Sequence, residues 1–165
     1  MGLQPTAAVL VLLWGEPPHV LLERKNCSVN NRFSCDIAFP GGRIKAGETP
    51  VEAALREAWE EAWIPPGMVR VIRSLGVFST LSEPKIYTEA VLALPSGPIE
   101  ARPRDPEVDA VFWVDITGLP SPGEVYHAKR GRTVSGVRLG EGLILWGLTL
   151  RIVQRVISML KTKDT

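Results

Sequence analysis

Between Arg56 and Ile64 the chain reads REAWEEAWI, and its acids are spaced for chemistry. Glu57, Glu60 and Glu61 stand at i, i+3 and i+4, so on a helix their carboxylates fall on one side at about 100° per residue. Three carboxylates about 6 Å apart repel by roughly 3 kcal/mol per pair at an effective dielectric of about 20, and by less than about 1 kcal/mol in bulk water. Only Arg56 is close in sequence to offset them. A solvated acidic face is the plain alternative. A hard divalent cation, Mg2+ or Mn2+, explains the clustering more easily, because it takes carboxylate oxygens and keeps positions open for water and a substrate phosphate. Upstream, the Gly41-Gly42 pair lets backbone approach a ligand closely, although a glycine pair alone is more often a turn.

These side chains need a helix that begins in the right place. Thr49, Pro50 and Glu52 read as an N-cap, a proline at the first helical position and a capping-box partner, and Pro65-Pro66 ends the helical run, so a helix is expected over residues 50–63. Leu55, Ala58, Trp59 and Ala62 fall on the face opposite the acids and are expected to meet a core. A second helical period runs over about residues 141–161, where Leu143, Trp146, Leu150, Val153, Ile157 and Leu160 recur every three or four residues. Short runs rich in Val, Leu, Ile or aromatics predict strands at residues 7–14, 19–24, 37–39, 69–78, 85–94 and 110–114. Residues 95–106 and 120–123 read as irregular loops. The pattern is mixed α/β, and without a repeat or a Ser/Gly linker it reads as a single domain over residues 1–165.

Composition sets the outer bounds. A chain of 165 residues, 45% of them apolar, can bury roughly 70% of its unfolded surface and needs no staple to hold a core. With 19 Lys+Arg against 18 Asp+Glu, the net charge of +1 excludes a disordered tail and a polybasic nucleic-acid binder, so any anion site must be local. Cys27 and Cys35 lack CxxC spacing, and His19 and His127 lie far from them, so no zinc site is read. Two small apolar core residues are favoured there over a functional disulfide. The apolar runs at 7–14 and 143–150 are too short to span a bilayer, and the first lacks a basic leader, so neither a membrane segment nor a signal peptide is read and a cytoplasmic location is expected. The five tryptophans, at 14, 59, 63, 113 and 146, are expected mostly in the core, with one free to stack on adenine.

The pattern G-x5-E-x7-R-E-U-x-E-E-x-G-U, with U aliphatic, is the Nudix box, and the sequence resembles it at Gly42, Glu48, Arg56, Glu57, Glu60, Glu61 and Ile64. Ala58 stands where a larger aliphatic is usual. Trp63 replaces the final glycine, the residue that ordinarily makes the left-handed helix exit. The preceding stretch, LLERKNCSVNNRFSCDIAFPGG from Leu21 to Gly42, is similar to the signature of coenzyme A diphosphatases at Arg24, Arg32, Phe39, Pro40, Gly41 and Gly42. It departs at Glu23, where Thr is common, and at Lys25 and Asn26. PEVDAVFWVDITGL (residues 106–119) and LILWGLTLRIV (residues 143–153) are similar to the same branch's closing strand and final helix.

The resemblance implies a Nudix fold, a mixed β-sheet sandwiched between α-helices (α/β/α). It also implies hydrolysis, with Mg2+ or Mn2+, of a nucleoside diphosphate joined to another group, with coenzyme A or a derivative as substrate. Glu57 and Glu61 would be the principal cation ligands and Glu60 a further ligand or the base. Arg56 would orient a glutamate, and Glu48 would brace the loop or helix. The base stays open, since Glu83 and Glu89 can also serve. Arg24 and Arg32 suit a phosphate grip, with ordinary surface cations as the equal alternative, and Phe39, Gly41 and Gly42 complete the substrate side. Lys129, Arg130, Arg132 and Arg138, near His127, read as a solvated loop or, less favoured, as a seat for the 3′-phosphate of coenzyme A. The partner is a small nucleotide diphosphate, with no nucleic acid polymer and no membrane; a homodimer is implied by resemblance alone. ADP-ribose, a dinucleoside polyphosphate or a damaged nucleoside triphosphate is the alternative substrate, and a catalytically silent nucleotide-binding module is the third reading.

Overall fold

Strand β1 (Ala7–Trp14) is apolar at almost every position because it is covered on both faces. Ala8, Leu10 and Leu12 pack on one side with Ala53, Ala54, Ala58 and Ala62, while Val11 and Leu13 pack on the other with Leu150, Ile152, Val153 and Val156. The first group belongs to helix α1 (Pro50–Ala62), the second to helix α2 (Gly147–Lys163). The sheet therefore lies between helices, the expected α/β/α sandwich. Alanine at four α1 positions lets that helix sit close against the sheet. The structure, a computed structural model, describes residues 3–27, 35–81, 83–140 and 143–163.

The remaining strands are β2 (His19–Lys25), β3 (Ile37–Ala38), β4 (Gly41–Arg43), β5 (Val69–Ser79), β6 (Tyr87–Pro95), β7 (Val108–Asp115), β8 (Gly123–His127), β9 (Arg132–Gly140) and β10 (Leu143–Trp146). Among the described residues, seven strands join in the order β3-β2-β1-β6-β5, with β4 also on β1 and β7 also on β2, and β10-β9-β8 form a separate small sheet. β1 runs parallel to β6 and antiparallel to β2 and β4. Ala8 is thereby level with Gly42 on one side and Glu89 on the other.

Several expectations need correction. Residues 143–146, read as the start of a long helix, are strand β10, and the helix begins at Gly147, whose φ of 58° marks the change of direction. The apolar recurrence at 143, 146 and 150 fits both readings, and pairing with β9 decides between them. Strands β8 and β9 lack an apolar run, and β4 is held by β1, not by its own β-propensity. Cys27 and Cys35 form a disulfide, with Cα atoms 4.4 Å apart, in place of two small apolar core residues. The cause is the ladder beyond β2: Lys25 N–H donates to the Asp36 carbonyl and Cys35 N–H to the Lys25 carbonyl, which brings the sulfurs together. Most of the tryptophans stand outside the core, although Trp113 packs against its α1 side. Trp14 is 60% exposed and leans on Trp113, Trp59 is 36% exposed, and Trp63, Trp113 and Trp146 are half-buried. No helix among the described residues is long and apolar enough to cross a membrane.

Candidate active site

Helix α1 starts where its caps dictate. The Thr49 hydroxyl accepts from the Glu52 N–H at 3.1 Å, the Glu52 carboxylate accepts from the Thr49 N–H at 2.9 Å, and Pro50 occupies the first turn. That start sets the phase of every later position in the helix. Arg56 and Glu57 emerge toward β4, Glu60 toward solvent, and Glu61 into the interior, where only 6% of it is exposed. Trp59, expected on the core face, lies outside it at the edge of the helix.

Gly42 and Gly41 are required by close approach. A Cβ on Gly42 would stand 2.7–2.9 Å from the Glu57 carboxyl atoms, and one on Gly41 would stand 2.3 Å from the Ala8 carbonyl oxygen. The partners that come so near are the chain's own Glu57 and β1. The Gly41 N–H donates to Glu61 Oε1 at 2.8 Å, so the glycine strand also holds an acid directly.

Arg56 organises the outer acids. Its Nε and Nη2 donate to both Glu48 oxygens at 2.7 and 3.0 Å, its Nη1 to Glu57 at 2.8 Å and Glu60 at 3.1 Å, and Nη2 also to the Arg43 carbonyl. Arg56 thus contacts three acids, and Glu48 also accepts from the Lys45 N–H. Hydrogen bonding from Arg56 holds the Glu48 carboxyl down to about 2. Glu57 moves the other way, raised first by burial and further by Glu61.

The inner acid, Glu61, has a different partner. Lys25 Nζ lies 2.6 Å from Glu61 Oε2 and 2.7 Å from Glu23 Oε1, and Glu23 is wholly buried. Burial, together with repulsion from Glu23, raises the Glu61 pKa. Burial also opposes the charge on Lys25, but the two carboxylates outweigh it and keep the lysine above its ordinary value. Neither Glu23 nor Lys25 stood among the expected site residues. The signal was there in the E-x-K alternation at the end of β2, which puts both side chains on one face.

The expected substrate residues divide. Arg24 lies on the opposite face of β2 from Glu23 and Lys25 and pairs with Asp109 at 2.6 Å. Phe39 is 2% exposed and packs in the α2-side core, so it is a core residue. Arg32 lies outside the described residues. Glu83 is exposed in the turn before β6, whereas Glu89, level with Ala8, shares the sheet face that carries α1. In the basic cluster, Arg130 is tied to Asp36 at 2.9 Å and, like Arg132, lies over the Trp146 ring. Arg138 stands six residues along β9 from Arg132 and lines a different cleft with Phe112, Trp113 and Leu139.

At its far end α1 leaves through Trp63 in the left-handed region, φ 59° and ψ 31°, the conformation glycine would take. The last turn has no basic residue of its own. Residues 102–104 supply what is missing: the Arg102 N–H donates to the Ala62 carbonyl, the Arg104 N–H to Glu61 and the Arg104 side chain to Trp59. The Arg104 guanidinium lies 4.0 Å from the Trp63 ring centre and 4.5 Å from that of Trp59.

Five carboxylates, Glu23, Glu48, Glu57, Glu60 and Glu61, thus share two cations. Hard oxygen donors of this kind suit a divalent cation such as Mg2+ or Mn2+, and Glu57, Glu60 and Glu61 are the side chains that could hold one. Among the described residues, no three acidic, His or Cys side chains converge closely enough to cage an ion as they stand. Arg56 and Lys25 are the groups that hold them in their present positions.

A family model of the NUDIX domain matches residues 4–133. Among curated proteins, the uncharacterized Nudix hydrolase NudL of Escherichia fergusonii is 29% identical over 164 residues, covering 95% of this chain and 83% of that protein. Among solved structures, the Nudix hydrolase RenU of M. smegmatis superposes with a TM-score of 0.64 at 21% identity over 96% of this chain and 86% of that one. The NUDIX domain of Shewanella oneidensis NrtR, complexed with ADP ribose, superposes with a TM-score of 0.60 at 16% identity over 97% and 90%.

Proposed function

This chain belongs to the NUDIX family of hydrolases, whose reaction is cleavage of a diphosphate link, and on that footing we propose that its substrate is coenzyme A or a coenzyme A derivative. The products are 3′,5′-ADP and phosphopantetheine or its acylated form. The observation that carries the chemistry is the Arg56-anchored set of carboxylates pressed against the glycine strand. The choice of coenzyme A is supported by the FPGG signature and by the segments at 106–119 and 143–153.

A divalent cation held there would neutralise diphosphate charge and supply Lewis acidity to the attacking water. Glu57, beside Gly42, and Glu61, beside Gly41, would hold it. Arg56 fixes Glu57 and Glu60 against rotation, which keeps donors in place through turnover. Water attacks one phosphorus as the bridging P–O bond breaks, and its proton passes to a carboxylate. Glu60, 46% exposed at its side chain, is accessible to water, and Glu89 on the same sheet face is the second candidate.

Purified protein incubated with Mg2+ or Mn2+ and coenzyme A, acyl-coenzyme A, ADP-ribose, NADH, diadenosine polyphosphates or 8-oxo-dGTP tests this. Release of 3′,5′-ADP and phosphopantetheine is expected. AMP with ribose phosphate as the preferred products would reassign the substrate to ADP-ribose, and binding without turnover would make the protein a sensor.

A further inference from the structure

Glu23 is wholly buried at the end of β2, and its Oε2 has no hydrogen-bond partner. A carboxylate is kept ionised in an interior only by compensating charge and satisfied lone pairs, because desolvation otherwise outweighs any single attraction. Here one ammonium, Lys25, serves two carboxylates, Glu23 and Glu61, at 2.7 and 2.6 Å. One carboxylate oxygen of the pair, Glu23 Oε2, is left without a donor. The shared ammonium places Glu23 beside Glu61, one of the acids assigned to the cation. The orphaned oxygen therefore sits beside the cation site, on the sheet face that carries α1.

We propose that Glu23 is a fourth carboxylate of the cation site, contributed by β2, and that its Oε2 ligates a divalent ion together with Glu57 and Glu61. The inference rests on the metal-dependent function proposed for this site and extends it to a residue outside the box helix. Lys25 keeps the second Glu23 oxygen and Glu61 fixed, so the ion meets a carboxylate already oriented. The departure at this position, Glu in place of the common Thr, then adds a hard donor to the site.

Mn2+ binding to the full chain, followed by the electron paramagnetic resonance of the free ion, tests it without recourse to activity. Glu23→Gln is expected to weaken Mn2+ binding by roughly tenfold or more, the scale at which ligand-shell changes act. Glu23→Asp keeps the charge that Lys25 needs but withdraws the oxygen by one methylene, so it is expected to weaken binding as well. A mere counter-ion to Lys25 would leave the Asp variant's affinity as in the wild type, and that result would overturn the proposal even if the Gln variant failed to fold. Glu57→Gln separates the two readings. If it loses affinity while both Glu23 variants keep theirs, only the role of Glu23 falls. If Glu57→Gln binds Mn2+ as tightly as the wild type, the box helix is not the cation site and both readings fall.

Discussion

The two cations of the acidic site hold their partners by different means. Arg56 works along its own helix and the turn before it: Glu48, Glu57 and Glu60 are all within eight residues, and the cluster is open to water on one side. Lys25 works across the fold, joining Glu23 on its own strand to Glu61, 36 residues away and buried. The first arrangement is a rim that orients; the second is an interior joint in which each charge depends on the others. The contrast teaches that one acidic helix can serve two purposes, because successive carboxylates on it point into different dielectrics.

For catalysis the two sides should count alike. Glu57→Gln and Glu61→Gln are each expected to lower kcat by about a thousandfold or more while leaving the far-ultraviolet circular dichroism unchanged. A fully active Glu61 variant would confine the chemistry to the Arg56 rim. For stability they should differ. Lys25→Met leaves buried carboxylates without their counter-charge and is expected to cost about 3–5 kcal/mol in urea titration of the metal-free protein. Arg104→Ala, which alters no side chain of either cluster but removes the stack on Trp59 and Trp63 and a bond to a helix carbonyl, is expected to cost about 1–2 kcal/mol, read as a fall of a few degrees in Tm.

The smallest effect is at Glu48. Its folded pKa of about 2 lies below the ordinary 4.5, so its bond to Arg56 stabilises the fold fully above pH 4.5 and is lost as the pH falls from there through about 2. Glu48→Gln is expected to flatten the fall of Tm in that window and to change little at pH 7 beyond the loss of the bond itself. An unaltered acid profile would mean that the Arg56 rim contributes no pH-dependent stability.

What was legible in the sequence was local. The start of α1 is dictated by Thr49, Pro50 and Glu52, and that start fixes the direction of each acid. The central strands were legible because β1, β2 and β6 carry runs of buried apolar residues. What escaped was set by partners distant along the chain. Glu23 and Lys25 read in the sequence as departures from a signature and join the site only because β2 lies beside α1, while strand alternation turns Arg24, expected at the site, to the opposite face. The Cys27–Cys35 bridge depends on the ladder beyond β2, and β4, β8 and β9 depend on neighbours more than on their own residues.

Trp63 and the arginine loop have one more consequence, for alignment. A helix fastened at one end can still slip, and an advance of a single residue would swing every carboxylate by about 100° around the axis. The Thr49 cap pins the front of α1, and the backbone of Arg102 and Arg104 pins the back, some forty positions further along the chain. Held like a shaft between two bearings, the helix has one rotational setting, and a segment that touches no acid side chain decides where the acids point.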